Sequence, residues 1–243
     1  MRLSEAARAE AQSFDRVAAD YDRLGDLNDR EKNGAWLKRM LPASGDRALD
    51  LGCGTGRHAV LLADRFKHVD AIDMSASMIR LAQERRPRPN ITYRRLDLHE
   101  VNATGRYDLV TSVLTLHHVP SLRLALGHIK TLLAPGGRLI LVDVYHDAPA
   151  QWSRRLLEQV APLRFRLHGQ AILLLTINLI RRGPATAWEI YRLSTRRHWL
   201  DHRVTDQFFS PEELARTSAA LFPGHRLVGT PRGVALIWDA PLH

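Results

Sequence analysis

Between Ala48 and Tyr145 short apolar runs alternate with helical stretches, and that alternation leaves few folds open to the chain. The strand candidates are Ala48 to Leu51, His68 to Ile72, Ile91 to Leu96, Leu109 to Leu114 and Arg138 to Tyr145. Helical patterning lies between them, near Arg57 to Phe66, Ser77 to Glu84 and Leu122 to Leu133. Repeated strand–helix–strand units predict a mostly parallel sheet covered by helices on both faces, with ligands at the carboxyl ends of the strands. Ahead of this core, Phe14, Val17, Ala18, Tyr21 and Leu24 recur at helical spacing and predict an amphipathic helix from about Ser4 to Leu24 that stops near Gly25. A second helix follows, opened by an Asn28–Glu31 capping box and closed by Pro42. Beyond Tyr145 the pattern changes. Residues 148–204 read as helix without strands, and then come a helix from Ser210 to Leu221 and two short strands, His225 to Gly229 and Val234 to Trp238, parted by Pro231 and Gly233.

A chain of 243 residues can bury a full core as one α/β domain with an elaboration. The single cysteine, Cys53, excludes an intramolecular disulfide, and its small side chain is expected to pack inside a turn. Met1 to Asp15 is polar and alanine-rich, and no stretch is long enough to span a bilayer, so a cytoplasmic protein is expected. The net charge of +9 raises a polyanionic partner. Only Lys32, Lys38, Lys67 and Lys130 are lysines, however, and charge dominated by arginine does not by itself identify one.

The most specific stretch is Ala48-Leu49-Asp50-Leu51-Gly52-Cys53-Gly54-Thr55-Gly56, an apolar run that ends in an acid and a turn of alternating glycines. Such a turn uses backbone angles that a Cβ disfavours and lets a ligand approach the main chain. The spacing departs from a dinucleotide fingerprint. It resembles motif I of the class I S-adenosylmethionine-dependent methyltransferases. The resemblance implies that Asp50, Gly52, Cys53, Gly54 and Gly56 belong to a cofactor loop. It implies that Asp73, at the end of the second strand, holds the ribose hydroxyls with Met74 packing on the adenine, and that Asp97, after the third, accepts from the adenine amine with Leu98 on the ring. The run from Tyr107 to Pro120 is similar to the segment where this family cradles the methionine end, through backbone at Val113 and Leu114. Phe14 to Asp22 is similar to an N-terminal helix folded over the cofactor, with Tyr21 capping the pocket, and Ala134-Pro135-Gly136-Gly137 matches the family's turn before the fifth strand. The resemblance covers residues 14–145 well and 208–240 in outline; the insertion matches nothing named. The implied fold is an α/β, Rossmann-like, three-layer α/β/α sandwich. It has a seven-stranded mostly parallel sheet ending in an antiparallel hairpin, plus a helical lid insertion. The expected division is 1–147 for the N-terminal helices and cofactor core, 148–204 for the lid, and 205–243 for the part that completes the sheet. S-adenosylmethionine is the implied cofactor and S-adenosylhomocysteine its product.

Methyl transfer from a sulfonium needs alignment, water exclusion and, for some acceptors, removal of a proton. Candidate bases at strand ends are His117, His118, Tyr145 and His146. No metal is expected, because Asp143-Val144-Tyr145-His146-Asp147 lacks the clustered acids and amide of metal-assisted relatives, and adjacent histidines are poor ligand spacing. In the insertion, the apolar run from Ala171 to Ile180 reads as a lid, a lipid-surface helix or a subunit contact, which leaves a homodimer open. Arginines interleaved with Trp152, Trp188, Tyr191 and Trp199 suggest either solvated charge over inward-turned aromatics or a grip on nucleic acid. The principal expectation is therefore methylation of an oxygen, nitrogen or carbon atom of a small, partly apolar acceptor. The alternatives are an RNA methyltransferase and a cofactor-binding regulator without turnover.

Overall fold

The computed structural model describes residues 5–27, 31–144, 163–204, 209–230 and 233–242. In chain order the elements are α1 (Glu5–Leu27), α2 (Glu31–Met40), β1 (Gly45–Leu51), α3 (Ala59–Ala63), β2 (Phe66–Asp73), α4 (Ala76–Arg85), β3 (Ile91–Arg95), β4 (Tyr107–Val113), α5 (Leu122–Leu132) and β5 (Leu133–Asp143). They continue with α6 (Leu163–Arg182), α7 (Pro184–Ser194), α8 (Arg197–Val204), α9 (Pro211–Leu221), β6 (Arg226–Thr230) and β7 (Gly233–Asp239).

One seven-stranded sheet runs in the order β3-β2-β1-β4-β5-β7-β6. Strands β1 to β5 pair in parallel, and β7 is antiparallel to both β5 and β6. The expected hairpin is present with an added feature: β7 inserts between β5 and β6, so β6 at the edge runs with the parallel set. Strand alternation sorts the core onto the two faces. Leu49, Leu51, Val110, Leu139, Leu141, Leu236 and Trp238 pack with α5 on one face, while Ala48, Leu109, Ile140, Val142, Ala235 and Ile237 pack with Trp36, Leu37 and Leu62 on the other. Helix α5 buries Leu122, Ala125, Leu126, Ile129 and Leu132, a stripe at helical period. Ser75, Ser121 and Ser210 cap α4, α5 and α9 by accepting a backbone N–H. Chain order reverses between β1 and β4, which opens a crevice at their carboxyl ends.

Several boundaries differ from the expected ones. Helix α1 continues through Gly25 to Leu27, and this glycine makes room for the Arg57 side chain: a Cβ there would lie 2.8 Å from Nε. Helix α3 is only five residues long, and β2 already begins at Phe66. Strand β5 starts at Leu133, with a register irregularity against β4 around the Pro135–Gly136 turn, where Gly136 has φ of 72°. Asn28 of the expected capping box lies outside the described residues, as do Tyr145, His146 and Pro231.

Candidate active site

The glycine loop leaves β1 with φ of 67°, 53° and 83° at Gly52, Gly54 and Gly56, all in the left-handed region. A Cβ on Gly52 would sit 2.2 Å from Thr115 Cγ2, and one on Gly56 would sit 2.6 Å from the Tyr93 hydroxyl oxygen. Gly54 is different, because the nearest atom to its imagined Cβ is Tyr21 at 4.0 Å. Gly52 and Gly56 therefore allow packing, and Gly54 presents bare backbone to open space. That space is a cavity of about 350 Å³ whose floor is Ile72, Met74, Met78, Leu96 and Leu98, and whose walls include Asp73, Asp97, Val113, Leu114, His118, Phe14 and Tyr21. Leu114, where β4 ends, has φ of 59° and is the one non-glycine with positive φ among the described residues.

Asp73 closes β2 and joins it to the loop, accepting from Gly54 N at 2.9 Å on Oδ2 and from Ser75 N at 2.8 Å on Oδ1. Each carboxylate oxygen can accept a further bond, so the helix-entry role and a ribose-binding role coexist. Burial pushes its carboxyl up to about 6, against the pull of those two N–H groups. Asp97 likewise caps the short turn at residues 98–100, accepting from His99 N at 2.9 Å, while facing the cavity.

Other members of the expected cofactor set lie elsewhere. Asp50 is buried beneath the loop and does not line the cavity; Thr111 donates to its Oδ1 at 3.2 Å, and its Oδ2 has no hydrogen-bond partner among the described residues. Burial, with Asp73 nearby, raises it to about 7. Gly56 packs on Tyr93, away from the cavity. Cys53 faces a second cavity, of about 440 Å³, on the far side of the loop. There Lys38, Arg57, His58 and Arg86 share the wall with Val60 and Leu61, and the two cavities have Tyr21, Gly52, Gly54, Val113 and Leu114 in common.

Helix α1 lies across this region and is tied down at both ends of the crevice. Asp15 accepts from Ser75 Oγ at 2.6 Å and Ser77 N at 2.9 Å. Asp22, with no solvent exposure, accepts from Thr55 Oγ1 at 2.6 Å and from the guanidiniums of Arg57, Arg85 and Arg86. These contacts hold Phe14 and Tyr21 over the cavity.

The base candidates separate into layers. His118 forms part of the cavity wall. Behind it His117, buried, bonds through Nδ1 to Asp143 Oδ1 at 2.6 Å, while its backbone N donates to Asp143 Oδ2 at 3.1 Å. Facing a carboxylate, the Nδ1 side of His117 is the donating side, which leaves Nε2 directed away from Asp143. The two imidazoles are 4.0 Å apart between centroids, and His118 also meets Phe14 edge-on at 4.9 Å. A third imidazole arrives from α8: His202 stacks at 5.8 Å on His118 and bonds Ser13 Oγ through Nδ1 at 3.0 Å. His202, Asp143, Asp15 and Asp22 were not singled out from the sequence as site residues. Their partners lie 26 to 189 positions away, so no local spacing marks them.

Two arginines of the insertion, with a histidine and a glutamate, bond α1. Arg196 and His198 both bond Asp20, at 2.6 and 2.7 Å; Arg182 donates to the Leu27 carbonyl; and Glu189 receives Arg23 at 2.7 and 3.0 Å. Val17 and Leu24 pack with Ile190, Leu193 and Trp199, so α1, α7 and α8 share a small core of their own.

This arrangement agrees with what is found in other proteins. A family model described as a methyltransferase domain matches residues 26–221. The demethylmenaquinone methyltransferase of Tropheryma whipplei is 32% identical over 177 residues, 71% of this chain and 70% of that one. An uncharacterised methyltransferase of Mycobacterium tuberculosis is 36% identical over 109 residues, 44% of this chain; the chain spans about half (55%) of that relative's length. The solved complex of DhpI with SAH superposes over 98% of each chain with a TM-score of 0.65 at 19% identity, which shows a shared fold. The loop of left-handed glycines, the acid ending β2, the strand order and the matched domain model all place the chain in the class I S-adenosylmethionine-dependent methyltransferase family.

Proposed function

We propose that the protein transfers a methyl group from S-adenosylmethionine to an oxygen, nitrogen or carbon atom of a small, largely apolar molecule that carries an ionisable proton. A reduced naphthoquinone of the demethylmenaquinone type is the first acceptor to test, on the strength of the Tropheryma whipplei relative. When bound, the cofactor supplies the methyl as a sulfonium electrophile and leaves as S-adenosylhomocysteine. Asp73 would hold the ribose, Asp97 the adenine amine, and the backbone of Gly52 to Gly54 with Leu114 the aminoacid portion; the apolar floor from Ile72 to Leu98 suits a purine.

His118 is assigned the proton-removing role. The observation that carries this is its place on the cavity wall, shared with the Asp73 carboxylate, with the ring of the Asp143-bonded His117 4.0 Å away between centroids. His117 acts as a positioning residue. Tyr145 and His146 remain proposed members of the acceptor side. Residues 148–204 with α1 are proposed as the lid, separate from the core at 1–147 and the closing segment at 205–243. For the RNA reading, Arg182 and Arg196 are already bonded to α1, so its test falls on the exposed Arg181, Arg192 and Arg197.

Calorimetry and a turnover assay on reduced naphthoquinones test the reading. Wild type should bind the cofactor at micromolar concentration and Asp73→Ala at least tenfold more weakly. His118→Ala should keep cofactor affinity and lose about 10²- to 10⁴-fold in turnover. Equal binding by Asp73→Ala would overturn the cofactor placement, and undiminished turnover by His118→Ala would overturn the base.

A further inference from the structure

Over residues 171–182, helix α6 turns several large apolar side chains outward. Of its described side chains, Ala171 and Asn178 are buried and Arg182 turns in to the Leu27 carbonyl. The outward positions are mostly apolar: Leu173 is 63% exposed, Ile180 is 85% exposed, and Ile172, Ile177 and Leu179 accompany them, with Thr176 and Arg181 the polar ones. Helix α7, joined to α6 through Gly183, adds Trp188, 58% exposed and stacked on Tyr191 at 5.5 Å between centroids. Water does not favour such a row, and apolar surface gathered in this way marks a contact. The side of α6 that packs on the protein carries Ala171, half-buried Leu175, Asn178 and Arg182, so most of the helix's large apolar side chains lie on the other side.

The charges around this row select the occupant. Exposed Arg181 lies four residues after Ile177, and exposed Arg192 four after Trp188, each on the same helical face as its apolar neighbour. Helix α6 contains no acidic residue, and the single acid of α7, Glu189, is paired with Arg23. Two copies of the face brought together would set arginine against arginine, and an RNA would leave the apolar row in water. A bilayer carrying anionic headgroups satisfies both the apolar and the cationic groups, and tryptophan beside arginine suits the headgroup boundary.

We propose that α6 and α7 form a peripheral docking face for an anionic lipid bilayer. Ile177, Ile180 and Trp188 enter the boundary between headgroups and acyl chains, and Arg181 and Arg192 meet the lipid phosphates. Among the described residues no helix is long and apolar enough to cross a membrane, so the contact lies on the surface. The inference stands apart from the acceptor's identity.

The test is flotation of the full chain with vesicles of phosphatidylcholine, with or without phosphatidylglycerol, at low and high salt. Wild type should float with the anionic vesicles and be released by salt. Arg181→Ala and Arg192→Ala should each lower partitioning about fivefold. Ile180→Asp should lower it at least tenfold while cofactor binding by calorimetry stays at the wild-type value, which separates lost docking from misfolding. No flotation at low salt, or flotation that ignores phosphatidylglycerol and both arginines, overturns the proposal. So does a concentration-dependent dimer in sedimentation that Ile180→Asp abolishes, because the face would then be a contact between copies.

Discussion

Asp50 and Asp73 put two carboxyl groups under and beside the same loop, both held above their ordinary range by burial, to about 7 and about 6. The native chain therefore keeps protons that the unfolded chain releases near pH 4, and folding stability falls as pH rises from about 4 to about 7. His58, lowered by burial to about 4, opposes this by favouring the native chain as pH rises toward 6.5. Urea unfolding of wild type and Asp50→Asn should therefore show that the stability lost between pH 5 and pH 8 is smaller in the variant; an equal loss would mean that Asp50 is already ionised at pH 5. A cationic ligand favours the ionised forms, so cofactor affinity should rise between pH 6 and 8 with release of protons, measurable by calorimetry in buffers of different ionisation heat. The loop glycines make a second contrast. Gly52→Ala forces a Cβ against Thr115 at 2.2 Å in a left-handed conformation and should cost roughly 3 kcal/mol or more of stability. Gly54→Ala meets no such wall and should cost about 1 kcal/mol, yet weaken cofactor binding more than Gly52→Ala weakens it per unit of stability lost. Thermal melts paired with calorimetry read both. The alternating glycines were visible in the sequence, but which one faces the ligand is decided by Thr115, Tyr93 and Tyr21, residues that no spacing rule brings to the loop.

Helix α1 is the element on which the site depends most. Its apolar period was plain from Phe14 to Leu24, whereas nothing local gave its acids a role. Asp15, Asp20 and Asp22 instead bond the α4 entry, the insertion and the glycine loop in turn. A carboxylate without solvent exposure among three guanidiniums and a hydroxyl leaves them poorly satisfied when removed. Because those arginines are partly solvated, Asp22→Ala should cost about 2 kcal/mol and not the full penalty of a buried pair. Limited proteolysis and hydrogen exchange should show α1 opening ahead of the sheet in that variant, with weaker cofactor binding. Unchanged protection of α1 would mean that its apolar contacts with Ile190 and Trp199 suffice to hold it.

Across the whole molecule, the alternation from Ala48 onward carried the architecture into the sequence, because buried parallel strands must be apolar runs and crossovers must be helices. The seating of β7 was not legible, since a short apolar run says that a strand exists but not which neighbour it pairs with. The histidine cluster was half legible: His117 and His118 stand at a strand end, while His202 and Asp143 arrive by tertiary folding alone. That seating of β7 also sets a schedule. Strand β5 is finished at Asp143, but the strand that covers its outer edge begins at Gly233, about 90 residues later. On a ribosome adding about 5–20 residues per second, the row of unpaired N–H and C=O groups on β5 waits roughly 5–20 s for its partner. During synthesis the half-built sheet is an adhesive ribbon, and the chain must reach its last strand before a neighbouring nascent chain or a chaperone takes that edge.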